Sequence, residues 1–365
     1  MARFYDWQTT LTYDADITMV IGMRDVGKTF GLREQLIRDY LREGNRFVAL
    51  SRNKTRIPKL ATGFFDGVIA KTQDPKIREW IEEENPVFRV SLSRMQVGHK
   101  LKNGKASDFT DMGYFVALSR KQEAKEETFV NVRRLVLDEA IIEPDERQFS
   151  HYQVDEWGKL ASIVDSCSRE RPDQDHHKPN VYLLANACDL VNPWFQELGI
   201  NEIPDYGRHW YRNKTFLLDY VDPADYADDY AGEKLNGTVS GRMLRGRRGS
   251  QSSAANAFEV RTDFVAEKPK SACYTEGFIY RGSVFAVWID YRTGLTYITS
   301  RFVKTIVRPM YALTTEDNRV NYITAKTAEK ALRDLVQLYS IGTLRFESPS
   351  IQEKFLRMLK DFGVR

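Results

Sequence analysis

Eight consecutive residues, Gly22-Met23-Arg24-Asp25-Val26-Gly27-Lys28-Thr29, fit the pattern GxxxxGK[ST]. Glycines in that pattern let the backbone curl until its N–H groups face phosphate oxygens, at the positive end of the following helix. Lys28 is then placed to neutralise β- and γ-phosphate charge, and the Thr29 hydroxyl to ligate Mg2+. A second group stands at Arg134-Leu135-Val136-Leu137-Asp138-Glu139, an apolar run ending in two acids. Behind a phosphate loop, Asp138 reads as a Mg2+ holder acting through water. Glu139 reads as the carboxylate that orients and activates an attacking water. ATP and Mg2+ are thus the expected ligands. A third run, 181–185, is tipped by Asn186, which serves either as a γ-phosphate sensor or as a turn cap.

The adjacent Glu139 disfavours small-molecule kinases and GTPases, whose catalytic arrangements differ. A GTPase should also carry an NKxD base-reading motif, and Asn53-Lys54-Thr55-Arg56 lacks the acid. Ring-forming motors need a positive charge from a neighbouring subunit to stabilise the transferred phosphoryl group. The polar segment 164–171 offers Arg169 and Arg171 for that, although arginines at a helix end are also common on plain surfaces.

These groups need a strand before the loop and a helix after it. Ile17–Ile21 is an apolar run, and Lys28–Glu43 repeats Leu32, Leu36, Tyr40 and Leu41 at helical spacing, with Gly44 as its stop. Further short apolar runs at 47–50, 114–118, 135–137 and 181–185 suit parallel strands covered on both faces. The alternation predicts an α/β sandwich. After residue 200 the character changes. Segment 222–233 has five acids and no base, and 241–250 has four arginines, three glycines and no acid. Strands are predicted at 274–280, 284–290 and 295–299, with helices at 325–339 and 351–362. The expected organisation is an ATPase domain over 1–200, a linker or lid with a basic loop over 201–255, and an α+β domain over 256–365.

A chain of 365 residues with 42% apolar and 12% aromatic residues has material for two packed cores. Its net charge of +3 says little about partners, because a basic channel can hide inside a neutral average. Three cysteines, Cys167, Cys188 and Cys273, form no CxxC pair, which fits a reducing cytoplasm. His176-His177 reads as part of a polar loop. No run is long and apolar enough for a membrane span, so an intracellular protein without a membrane partner is expected.

At this point the residues resemble a family, the genome-packaging (encapsidation) ATPases of phi29-type podoviruses. The similarity is carried by Gly22-Met23-Arg24, Leu137-Asp138-Glu139, the end of segment 164–171, and Ala185-Asn186-Ala187 followed by Val191-Asn192-Pro193-Trp194-Phe195. It continues through Ala286-Val287-Trp288-Ile289-Asp290, Gly294-Leu295-Thr296-Tyr297-Ile298, Ala312-Leu313-Thr314-Thr315 and Gly342-Thr343-Leu344-Arg345-Phe346.

The resemblance implies a P-loop NTPase of the ASCE, terminase-like type, followed by a degenerate RNase H fold that has lost cleavage. It implies a homomeric ring, a pentamer, at the portal vertex of an empty procapsid in the host cytoplasm, moving double-stranded DNA. A packaging RNA is a further partner for some relatives and is left open here. Nucleotide would be held by Gly22, Arg24, Asp25, Val26, Gly27, Lys28 and Thr29, with Arg24 assisting γ-phosphate sensing. Arg169 matches the trans finger, Lys125 a second trans residue, and Lys54 a position facing DNA. The arginine-rich loop with Arg245, Arg247 and Arg248 departs from the family and is a candidate nucleic-acid contact or a solvated linker. Segment 171–180 is longer than in the family. An RNase H-type nuclease would need converging carboxylates, and Asp290, Asp263, Glu276 and Glu316-Asp317 are the available ones. The alternatives are a helicase-like ATPase and a non-hydrolysing nucleic-acid-binding scaffold.

Overall fold

The computed structural model describes residues 4–24, 26–100, 106–120, 128–142, 152–153, 155–168, 178–188, 190, 192–200, 203–226, 258, 264–301, 308–320 and 322–361. The chain divides into two compact units, Met1–Glu259 and Val260–Arg365.

The first unit is built on a nine-stranded sheet. Its strands are β1 (Ile17–Ile21), β2 (Arg46–Ser51), β3 (Pro86–Ser91), β4 (Arg94–Lys100), β5 (Ala106–Ala117), β6 (Val132–Leu137), β7 (Asn180–Ala185), β8 (Gly207–Tyr211) and β9 (Phe216–Tyr220). They lie in the order β3-β4-β5-β2-β6-β7-β1-β9-β8. From β5 to β9 all neighbours are parallel, and an antiparallel hairpin finishes each side. Burial explains the unbroken apolar runs: β7 and β9 are buried along their whole length and β6 nearly so. One strand, β7, is inserted between β1, which feeds the phosphate loop, and β6, which ends at Asp138. That is the arrangement expected of the ASCE class.

Helix α1 (Trp7–Thr12) precedes the sheet, and α2 (Lys28–Glu43) follows the phosphate loop. In α2, Leu32, Leu36 and Ile37 face the core, and Gly44 in the left-handed region ends the helix. Leu41, expected on the inner face, is exposed, and Asp39 is buried instead, held by Arg134. Short helices α3 (Ile57–Ala61), α4 (Asp66–Lys71) and α5 (Pro75–Glu84) lead into β3. Helix α6 (Glu156–Cys167) and α7 (Pro193–Leu198) flank β7 in sequence. Phe47, Phe64, Phe65 and Phe115 form one contiguous aromatic group in the core. Full burial of each such ring is worth about 2–3 kcal/mol.

One expectation needs correction here. The division at residue 200 falls inside the first unit, because the hairpin β8–β9 belongs to its sheet: β9 pairs with β1 from Ile17↔Phe216 to Ile21↔Tyr220. Residues 207–220 are therefore sheet and not linker. The hairpin β3–β4 and the first half of β5 are strands that the sequence reading left unassigned.

The second unit holds a six-stranded sheet of β10 (Cys273–Tyr280), β11 (Ser283–Asp290), β12 (Leu295–Thr299), β13 (Met310–Ala312), β14 (Ile323–Thr324) and β15 (Leu344–Phe346). Their order is β14-β13-β10-β11-β12-β15. The first three in sequence run antiparallel, and β13, β14 and β15 add in parallel, matching the expected RNase H-like α+β arrangement. Helices α8 (Ala325–Ser340) and α9 (Pro349–Asp361) supply Leu332, Leu335, Phe355 and Met358 to a core with Phe278, Phe285, Ile298 and Phe346.

Candidate nucleotide site

Strand β1 delivers the chain to Gly22, whose N–H donates to Ala185 O at 3.1 Å, so the loop starts anchored to β7. Gly27 turns the chain into α2 with φ 83°, a conformation a side chain would strain. The first turn of α2 is fixed from outside by the N-terminal segment. Tyr5 N donates to Val26 O at 2.8 Å, and Trp7 Nε1 donates to Lys28 O at 2.8 Å. The Trp7 ring lies where a Cβ on Gly31 would come within 2.5 Å of it, so only glycine permits this contact. Tyr5 OH in turn donates to Asp219 Oδ2 on β9 at 2.7 Å, and burial raises the Tyr5 pKa well above its ordinary value, so the phenol stays protonated.

Lys28 is buried, and its Nζ donates to Gly22 O at 2.6 Å, Met23 O at 2.7 Å and Asn186 Oδ1 at 3.2 Å. Asn186 thus comes to the mouth of the loop from the end of β7, while its carbonyl also accepts Cys188 N in a turn. Thr29 Oγ1 donates to Asp138 Oδ2 at 3.0 Å, joining the two motifs that lie far apart in the chain. Asp138 Oδ1 accepts Glu139 N at 3.0 Å. Glu139 stands with φ 55° and a side chain 64% exposed, and Arg56 Nη1 lies 3.5 Å from its Oε2. Burial lowers the Arg33 pKa, with Asp138 opposing, which places this cation of α2 within electrostatic reach of the site.

The donor set suits a hard cation. Thr29 and Asp138 offer hydroxyl and carboxylate oxygen side by side, and Mg2+ is held in such sites by one or two carboxylates, waters and substrate phosphates. The glycine-turned backbone at the start of α2 suits phosphate. Arg24 lies exposed on the loop. Lys54 is exposed on the turn Lys54–Arg56, just past β2. Asp25, Lys125, Arg169, Arg245, Arg247 and Arg248 lie outside the described residues. The sequence reading missed Arg52, Arg56 and Glu156. Arg52 Nη1 donates to Glu139 O at 2.6 Å, and its Nε to Glu156 Oε1 at 2.8 Å. The one available signal was Arg52 itself, a cation directly after an apolar strand.

The carboxylates of the second unit do different work. Asp290 is buried and accepts Arg292 N at 3.2 Å and Thr293 Oγ1 at 3.0 Å. Asp317 accepts Arg281 N at 2.6 Å, Gly282 N at 2.8 Å and Thr314 Oγ1. They serve opposite ends of β11, roughly 23 Å apart at the rise of a strand. Asp263 lies outside the described residues.

A parallel sheet with an inserted strand, a phosphate loop, and an Asp-Glu strand end brought against that loop define a P-loop NTPase of the ASCE class, here followed by a smaller α+β unit. The sequence model of the podovirus DNA encapsidation protein (Gp16) family matches residues 1–361, and the chain belongs to that family. It is 26% identical over 367 residues to the DNA packaging protein of Bacillus phage phi29, covering 99% of this chain and 98% of that one. To the DNA packaging protein of Bacillus phage B103 it is 25% identical over 358 residues, covering 97% and 100%. Its fold is similar to a chain of the bacteriophage phi29 viral genome packaging motor assembly, with TM-score 0.67, 24% identity and coverage of 98% and 99%. A second likeness is to a chain of the Phi-28 gp11 DNA packaging motor, with TM-score 0.61, 19% identity and coverage of 100% and 98%.

Proposed function

We propose that the chain is the ATP-hydrolysing subunit of a homomeric ring that drives double-stranded DNA through a portal into a phage procapsid, in the cytoplasm of the host. One observation carries the reading: the adjacent Lys28 and Thr29 of the phosphate loop are hydrogen-bonded to Asn186 and Asp138 respectively, with Glu139 next to Asp138 in the chain, in a member of a DNA-encapsidation family.

Lys28 exchanges its loop carbonyls for β- and γ-phosphate oxygens when nucleotide binds. Thr29 and Asp138 hold Mg2+, which supplies positive charge against the phosphate oxygens. The Glu139 carboxylate, exposed beside them, takes the proton of the attacking water. Asn186 reports on the γ-phosphate through its contact with Lys28. Arg24 and Asp25 complete the loop, and Arg169 and Lys125 act on the site of a neighbouring subunit. DNA is gripped by Lys54, and the basic loop with Arg245, Arg247 and Arg248 is a further contact, either to DNA or to a packaging RNA. A motor that moves on any sequence binds mainly phosphates, so affinity falls steeply with salt.

The second unit is proposed to lack nuclease activity, because Asp290 and Asp317 are engaged at separate turns. Metal-dependent nicking of plasmid DNA that Asp290→Ala abolishes would overturn that part. The deciding experiment is steady-state ATP hydrolysis with and without long duplex DNA. The expected result is DNA-stimulated turnover in the wild type and its loss in Glu139→Gln. ATP binding with no turnover in the presence of procapsids and DNA would favour a non-hydrolysing scaffold.

A further inference from the structure

We infer that Asp219 and Tyr5 are positioning residues for the phosphate-binding amides of the loop, with Trp7 acting beside them on the first turn of α2. The inference rests on the reading of this loop as the triphosphate site. A peptide unit is planar and trans, so its C=O and N–H point in opposite directions. Val26 O belongs to the same peptide as Gly27 N, and Lys28 O to the same peptide as Thr29 N. Tyr5 N holds the first carbonyl at 2.8 Å, and Trp7 Nε1 holds the second, also at 2.8 Å. Both carbonyls are thus drawn toward the N-terminal segment, and the N–H groups of Gly27 and Thr29 are turned away from it. Amides turned to one side together at a helix start are what an anionic phosphate binds.

The segment that supplies both donors is braced along its length. Asp6 caps α1 by accepting Thr9 N at 3.0 Å, and Trp7 N donates to Tyr5 O at 3.1 Å. The Tyr5 and Trp7 rings meet edge to face at 5.0 Å, and Trp7 meets Tyr182 of β7 at 5.7 Å. A Cβ on Gly27 would lie 3.0 Å from the Phe4 ring, so this strap runs directly against the loop. Its far anchor is Asp219. The buried carboxylate accepts Tyr5 OH at 2.7 Å and Arg208 Nε at 3.0 Å, both on Oδ2, and Tyr5 OH lies 2.8 Å from Thr10 Oγ1. Asp219 stands beside Val20 in the β1–β9 pairing, two residues before the loop begins. It therefore ties the strap to the strand pair that carries the loop. Without that tie the two peptides must be ordered when nucleotide arrives, and the ordering is subtracted from affinity.

The same unit contains a matched comparator. Tyr114 is buried on β5, and its hydroxyl accepts from Arg46 Nη1 at 3.0 Å and Val130 N at 3.2 Å, neither of which belongs to the loop. The experiment measures binding of a fluorescent ATP analogue to the full-length protein, its displacement by tripolyphosphate, kcat, and hydrogen–deuterium exchange over 26–30. The variants are Tyr5→Phe, Trp7→Phe, Asp219→Val, Asp219→Asn and Tyr114→Phe. The first three should each bind analogue and tripolyphosphate about 5-fold more weakly, the worth of one hydrogen bond, with faster exchange over 26–30. Their kcat at saturating ATP should stay within about twofold, because these amides hold ground state and transition state alike. Asp219→Asn keeps an acceptor for the Tyr5 hydroxyl and should restore wild-type binding, and Tyr114→Phe should not alter it. Wild-type affinity and exchange in folded Tyr5→Phe and Trp7→Phe overturn the inference, as does an equal loss in Tyr114→Phe. Weaker analogue binding with unchanged tripolyphosphate binding also overturns it, because the strap would then serve the nucleoside. If Asp219→Val does not fold, Tyr5→Phe and Trp7→Phe decide alone. A wild-type protein that binds neither analogue nor tripolyphosphate would instead remove the reading of the site, and this inference with it.

Discussion

Both units of the molecule carry acids at strand ends or in the turns beside them, and the fate of those acids separates the units. In the first unit, Asp138 accepts from a threonine at the phosphate loop, and the Glu139 side chain stands largely exposed. In the second, Asp290 and Asp317 are buried and spend their oxygens on backbone N–H groups and threonine hydroxyls of nearby turns. An acid near a strand end is thus presented at the phosphate loop or tied into a turn according to where its hydrogen bonds go. Type and spacing alone do not decide between the two.

The contrast is broken most directly by exchanging lesions between the units. Lys28→Ala should lower ATP turnover by two orders of magnitude or more, given what such charge stabilisation contributes. Asp290→Asn should leave turnover within twofold in the same assay. Loss of turnover in Asp290→Asn would erase the distinction.

A smaller effect tests the tied turn itself. Asp317→Ala removes the acceptor of two backbone N–H groups and one hydroxyl, and should cost the second unit on the order of 3 kcal/mol in urea unfolding. ATP binding to the first unit should not change. An unaltered unfolding midpoint would show that water replaces the carboxylate at no cost.

The smallest effect concerns Glu276 on β10. Burial, with the charge of Asp334 adding to it, raises its pKa above the ordinary carboxylate range. The folded state then holds the proton more tightly than the unfolded chain, so stability falls as pH rises from the unfolded value toward the raised one. Glu276→Gln should stabilise the second unit at pH 7, and the gain should vanish at pH values below the unfolded pKa. Unfolding curves at the two pH values check both halves, and a gain that persists in acid would remove electrostatics as its cause.

Local features were the legible ones. The phosphate loop, the Leu137-Asp138-Glu139 strand end and the helix between Lys28 and Gly44 depend on neighbours in the chain, and the structure places them as read. Asn186 was open between sensor and cap; its side chain touches Lys28, and its backbone carbonyl closes a turn with Cys188. The hairpin β8–β9 was missed because the acid-rich stretch behind it dominated the composition, although Phe216–Tyr220 is itself an apolar run. The pair Arg52–Glu156 was illegible for a different reason. Its members are 104 residues apart, and nothing in the sequence around either one points to the other.

One feature of the sheet bears on how the protein is made. Strand β1, which leaves the ribosome well before its partners, is completed by β7 on one side and β9 on the other. Until β7 has emerged the apolar segment Ile17–Ile21 lacks both neighbours, and until residue 220 it still lacks β9. Its native partners are non-local, and such pairings form slowly. The phosphate loop at its tip therefore cannot be assembled during most of the unit's synthesis. A nascent chain stalled before β9 would therefore present one edge of an apolar strand unpaired, a template for association with other chains.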